Sequence, residues 1–148
     1  MCKVLFVCTG NTCRSPMAAA MAAQIFTEAG LAAEVSSAGV SAWGGQPASR
    51  HAVAVMEECG LGLHKHNSTL VTTALLNSAT VVLTMTRSHR AMLLSDYPAA
   101  KDKIYTLAEY AGDSVDIADP FGGDQEEYRI CATQLRKLLR IVADKLKG

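Results

Sequence analysis

The sequence predicts an α/β fold: a single doubly wound domain with a four-stranded parallel sheet flanked by helices. Short apolar runs alternate with segments of helical period along the whole chain, which is the pattern of parallel strands joined by helices. The length of 148 residues suits one domain that buries about two-thirds of its unfolded surface. No linker, internal repeat, low-complexity tract or long charge block interrupts it, so residues 1–148 are expected to form one unit.

Strands are expected over residues 3–7, 34–38, 80–84 and 103–106. Helices are expected over 16–29, 48–59, 69–77, 87–95 and 125–145. The first strand contains the unbroken apolar run Val4-Leu5-Phe6-Val7. The helix after it would take Ser15 as its cap and Pro16 at its first position, where no N–H is needed. Its Met17, Met21 and Ile25 recur every four residues, a stripe for packing against the sheet. Behind the second strand, the glycine-containing stretch 43–47 would lean over the same edge as the first loop. In the last helix Tyr128, Cys131, Leu135, Leu138, Leu139, Val142 and Leu146 paint one face and are expected in the core.

Composition narrows the function classes. Lys plus Arg number 14 and Asp plus Glu number 14, so the net charge is zero and no basic stripe stands out. Neither nucleic acid nor an anionic membrane is an expected partner. The N-terminus runs into a strand without a signal pattern, and no apolar run approaches the roughly 20 residues of a membrane span. Five cysteines, an odd number without framework spacing, suit a reducing compartment, and the expected location is the cytoplasm. His64-Lys65-His66 has no cysteine or carboxylate cluster to complete a metal site, so neither metal nor cofactor is expected.

The chemistry is concentrated in residues 8–15, Cys-Thr-Gly-Asn-Thr-Cys-Arg-Ser. A strand that turns through such a loop into a helix aims backbone N–H groups and the positive end of the helix dipole at one point, where an anion is held. The five residues between Cys8 and Arg14 are about what is needed to circle a tetrahedral anion and return. Gly10 permits close backbone approach, Asn11 tolerates a left-handed conformation, and Thr9 adds a hydroxyl. Arg14 supplies a planar fork for two phosphate oxygens, and the positive field favours an attacking thiolate at Cys8. The bland alternative, a packed strand-end thiol, leaves these coincident loop features unexplained. Cys13 either packs behind the loop or captures an oxidised Cys8 as a disulfide. Cys2, Cys59 and Cys131 read as buried or incidental thiols.

A phosphocysteine mechanism also needs an acid for the departing group. Asp119-Pro120 offers one, because Pro120 stiffens the loop and restricts Asp119. Asp-Pro alone is an ordinary turn former. Asp113 and Asp116 are competing carboxylates without an adjoining proline.

On these residues the chain resembles the low-molecular-weight protein-tyrosine phosphatases nearly end to end. The 8–15 loop is similar to that family's Cys-x5-Arg-Ser phosphate loop, and Asp119-Pro120 to its late general-acid motif. The resemblance implies that Ser37-Ala38-Gly39 and Trp43 flank the pocket. It also implies that His66 supports Asn11 in a network with Ser15 and Ser37. Implied partners are phosphorylated protein side chains, and inorganic phosphate or another oxyanion in the loop.

Two departures bear on substrate. Thr12 stands where tyrosine-directed members carry a bulky aliphatic residue, and resembles the protein-arginine phosphatase branch. Phe121-Gly122-Gly123 retains one aromatic residue where many tyrosine-directed members have adjacent tyrosines. A planar, donor-rich phosphoguanidinium tolerates a hydroxyl neighbour better than a phenyl ring does, so phosphoarginine is favoured over phosphotyrosine. Trp43 stacks on either group and does not separate them. An arsenate reductase on this scaffold would need two further nearby cysteines, and Cys59 and Cys131 are distant in sequence. A phosphocarrier or a non-catalytic phosphoprotein-binding module would not need both Arg14 and Asp119.

Overall fold

In the computed structural model, which describes residues 2–148, four parallel strands form one sheet: β1 (Cys2–Cys8), β2 (Ala33–Gly39), β3 (Val81–Thr84) and β4 (Ile104–Thr106), in the order β2-β1-β3-β4. Val4, Phe6 and Cys8 face one apolar layer and Leu5 and Val7 the other, which is why β1 reads as a continuous apolar run. The first layer is covered by α1 (Arg14–Glu28), α2 (Arg50–Glu58) and α6 (Gln125–Lys147), and the second by α3 (Thr73–Ser78) and α4 (Arg87–Asp96). Helices on both faces make the sheet doubly wound. All the residues expected along the α6 face are buried except Leu146, which packs half-buried against the same core. Asp124 caps that helix by accepting the Glu127 N–H at 3.0 Å.

Three local expectations are corrected. Ser15 does not cap α1, because the helix begins at Arg14 and its cap residue, Cys13, makes no side-chain cap bond. Pro16 is therefore the third helical residue, still inside the turn whose N–H groups have no intrahelical acceptor. The helix expected over 69–77 starts at Thr73. Its first residues are taken by the sheet edge: Gly39 donates to the Thr69 carbonyl at 2.9 Å and receives Val71 N–H at 3.0 Å, while Thr72 caps α3 by accepting from Leu75 N. A short helix, α5 (Leu107–Tyr110), follows β4 directly. Thr106 caps it, and a single turn is too short to show helical period in the sequence.

Parallel pairing of β1 with both β2 and β3 brings the loops after these strands to one edge. The carboxyl end of such a sheet is where ligands bind in doubly wound folds. The loop that follows β1 provides most of the cavity described below, and residues 119 and 121, from the segment between α5 and α6, complete it.

Candidate active site

Cys8 ends β1 almost fully buried, and residues 9–13 form a loop that turns directly into α1. Asn11 is the only non-glycine residue of positive φ among the described residues, at 58°, and it closes the loop. Its own side chain stabilises this conformation. Asn11 Nδ2 donates to Ser15 Oγ at 2.8 Å and to Ser37 Oγ at 2.9 Å, and Oδ1 accepts Thr69 N–H at 2.9 Å. The Asn11 carbonyl lies 2.7 Å from His66 Nε2, so that nitrogen carries the proton and donates. Asn11, fully buried, thus ties the loop to β2 and to the segment before α3.

Ser15 Oγ, already accepting from Asn11, lies 2.9 Å from Cys8 Sγ. Its single hydroxyl proton has two acceptors in reach, the Ala38 carbonyl at 3.4 Å and, closer, Cys8 Sγ, so turned to the sulfur it would stabilise a thiolate there. Arg14 is 5 % exposed, which anchors its charge. Its Nη1 donates to the Ile117 carbonyl at 2.8 Å, and its Nη2 stands 3.5 Å from Asp119 Oδ2. Asp119 Oδ1 accepts Phe121 N–H at 3.0 Å. The turn after it closes with Gly123 N–H on the Pro120 carbonyl at 2.8 Å and with Gly122 at φ 84°, a conformation suited to glycine. The competing acids are engaged elsewhere: Asp116 accepts Arg87 N–H at 3.0 Å, and Asp113 accepts Ser114 N–H at 2.6 Å.

Cys8, Thr9, Gly10, Thr12, Cys13, Arg14, Asp119 and Phe121 line one cavity of about 210 Å³. A thiol, a guanidinium and a carboxyl group thus meet in a space fit for a phosphoryl group and the end of its side chain. Cys13, which also lines this cavity, has its Sγ 3.3 Å from Tyr128 Oη and 3.5 Å from Ser49 Oγ. Ser37 and His66 reach the loop only through Asn11.

This constellation has the parts of a cysteine-dependent phosphatase, and the low molecular weight phosphotyrosine protein phosphatase family matches residues 3–148. The chain belongs to that family. A protein-arginine-phosphatase of Geobacillus stearothermophilus is 44% identical over 146 residues, covering 98% of this chain and 96% of the relative. The low molecular weight protein-tyrosine-phosphatase PtpB of Staphylococcus haemolyticus is 38% identical, over 93% of this chain and 94% of the relative. A solved structure of YwlE arginine phosphatase, with a phosphorylated serine in place of the active-site cysteine, superposes with a TM-score of 0.96. It is 41% identical and covers 99% of this chain and 96% of its own.

Against the family expectation, Trp43 does not wall the pocket: it is 81% exposed and outside the cavity lining. Its carbonyl accepts the Ser68 hydroxyl, and Gly45 and Gln46 donate to Ser68 as well, so the segment is fastened to the loop before α3. Phe121, 73% exposed, is the aromatic residue at the cavity mouth.

Sequence reasoning missed His89. This residue, near the start of α4, is 5% exposed and places Nε2 2.8 Å from Thr9 Oγ1. Burial, reinforced by the Arg14 cation, pushes its pKa down to about 4, so the ring is neutral near pH 7. Thr86, three residues before His89 and just behind the third strand, was the available signal.

Proposed function

We propose that this protein is a cytoplasmic phosphatase that hydrolyses phosphoarginine in proteins through a phosphocysteine on Cys8. The observation that carries the substrate choice is Thr12, a half-buried hydroxyl residue in the same cavity as Cys8, Arg14 and Asp119. The protein-arginine-phosphatase relative, more similar than the tyrosine-directed one, supports the same reading. Free thiols at all five cysteines fit a reducing compartment.

The Cys8 thiolate attacks phosphorus, forming an S–P bond as the P–N bond to the guanidine breaks. Loop amides and Arg14 stabilise the equatorial oxygens, and Asp119 donates the proton that the departing nitrogen needs. Water then attacks the thiophosphate. Asp119 takes its proton, the S–P bond breaks, and inorganic phosphate leaves with Cys8 again a thiolate. Charge stabilisation at this site comes from the loop and Arg14, so none of these steps calls on a metal.

The second reading, a phosphotyrosine phosphatase, draws on Phe121 at the cavity mouth, where it can stack on a phenyl ring. Comparing kcat/KM on matched phosphoarginine and phosphotyrosine peptides, for the native protein and Thr12→Ile, separates the two. A phosphoarginine preference that collapses in Thr12→Ile is expected. A phosphotyrosine preference in both proteins would move the enzyme to the tyrosine-directed branch.

A further inference from the structure

Thr9 is the only loop hydroxyl that is both exposed to the cavity and held by a side chain from another element. That side chain is His89, 80 residues away in sequence. Its other ring nitrogen, Nδ1, lies 3.0 Å from Thr86 Oγ1, which itself accepts the backbone N–H of His89 at 3.1 Å. The imidazole is thus suspended between two hydroxyls.

We propose that His89 is a positioning residue that donates from Nε2 to Thr9 Oγ1 and so turns the Thr9 hydroxyl hydrogen toward the oxygens of a phosphoryl group in the cavity.

The hydrogen-bond bookkeeping selects this arrangement. A neutral imidazole has one donor and one acceptor nitrogen, and burial beside the Arg14 cation keeps this ring neutral. If Nδ1 carried the proton, Thr86 Oγ1 would receive two N–H donors, and its own hydrogen would have no acceptor among the hydrogen bonds of the described residues. Thr9 would then spend its hydrogen on Nε2 and present only lone pairs to an anion. With the proton on Nε2, Thr86 donates to Nδ1, every donor is used, and Thr9 is left with a hydrogen to give. In the oxyanion cradle a donor stabilises and a lone pair repels. His89 itself does not line the cavity, so it acts through Thr9.

The inference rests on the reading that the 8–14 loop binds a phosphoryl group, and its test separates the two. Nitrogen-15 NMR of the imidazole rings at pH 7 reads the tautomer in the native protein and needs no substrate. A protonated Nε2 and bare Nδ1 on His89 are expected, and the reverse overturns the proposal. Turnover of p-nitrophenyl phosphate, which is indifferent to the arginine or tyrosine question, is then measured for His89→Met, His89→Gln, Thr9→Val and the His89→Met/Thr9→Val pair.

Each of His89→Met and Thr9→Val should lower kcat/KM about fivefold, the scale of one neutral hydrogen bond. The double variant should be no worse than Thr9→Val alone, and His89→Gln, which keeps an N–H donor, should recover most of the loss. A His89→Met defect that persists undiminished on the Thr9→Val background overturns the inference. Should His89→Met fail to fold, the tautomer measurement decides. A native protein without turnover on any phosphoester would overturn the phosphatase reading instead, and the same variants are then compared by their affinity for inorganic phosphate.

Discussion

Gly39, the last residue of β2, lies directly against the backbone of Thr9, the residue after the nucleophile. A Cβ at Gly39 would collide with the Thr9 carbonyl oxygen and stand 2.9 Å from Asn11 N and 3.0 Å from Ala42 Cβ. Two of these three neighbours are backbone atoms of the anion loop, which cannot swing away as a side chain would. Gly39→Ala should therefore displace the loop and weaken inorganic phosphate binding at least severalfold. A stability loss of about 1–3 kcal/mol, typical of overpacking, should accompany it. Calorimetric titration with phosphate checks the first effect, and an unchanged affinity would contradict the account of Gly39 as the loop's seat.

Asn11 combines a left-handed backbone with a fully used side chain, and two substitutions separate these contributions. Asn11→Gly keeps the φ of 58° accessible but strips the bonds to Ser15, Ser37 and Thr69, and should lose about 2–3 kcal/mol. Asn11→Ala should lose about 1 kcal/mol more, because alanine resists the left-handed region. Urea unfolding gives the order native, then Gly, then Ala; equal stability of the two variants would remove the backbone from the explanation.

The nucleophile and the acid should fail differently. Cys8→Ser should abolish turnover yet still bind phosphate, because the amides, Arg14 and the Ser15 hydroxyl remain in place. Asp119→Asn should lower kcat by about 10²–10⁴, the usual range for a general acid. That loss should shrink on p-nitrophenyl phosphate, whose leaving group departs without protonation. A folded Cys8→Ser protein unable to bind phosphate, or an Asp119→Asn loss equal on both kinds of substrate, would count against the assigned roles.

His89 makes stability depend on pH in a defined window. Its folded pKa, about 4, lies below the ordinary 6.5, so between these values the unfolded chain binds more protons than the folded one. Stability from this residue therefore rises with pH through that window, is complete above pH 6.5, and is lost as pH falls toward 4. The ring is opposed by Arg14 and favoured by Asp119 and Asp116, so burial sets the direction. Allowing for solvent screening, the difference in unfolding free energy between pH 7 and pH 4.5 should be of order 1–2 kcal/mol smaller in His89→Gln than in the native protein. Parallel slopes in urea unfolding across that range would exclude a neutral buried His89.

What was legible without coordinates was local. The apolar run 4–7, the 8–15 loop and the stripe along 125–147 each state their structure through spacing within one segment, and so does the stiffened Asp119-Pro120 pair. Four strands, their alternation with helices and the position of the loop after β1 all followed from such patterns.

Tertiary structure decided where polar groups find partners. Ser15 has the residue type of a helix cap and stands before Pro16, yet its hydroxyl serves Cys8 and Asn11, because α1 already begins at Arg14. Thr69 was expected to open a helix, and instead its backbone closes on Gly39 and the Asn11 side chain. Trp43 faces outward because its segment is tied to Ser68. His89 reaches Thr9 only because β3 lies beside β1 in the sheet, which brings the start of α4 to the cradle. Periodicity within a segment encodes which face is apolar. Strand order and register determine which distant hydroxyl, carbonyl or glycine that face will meet, and those meetings shape the site.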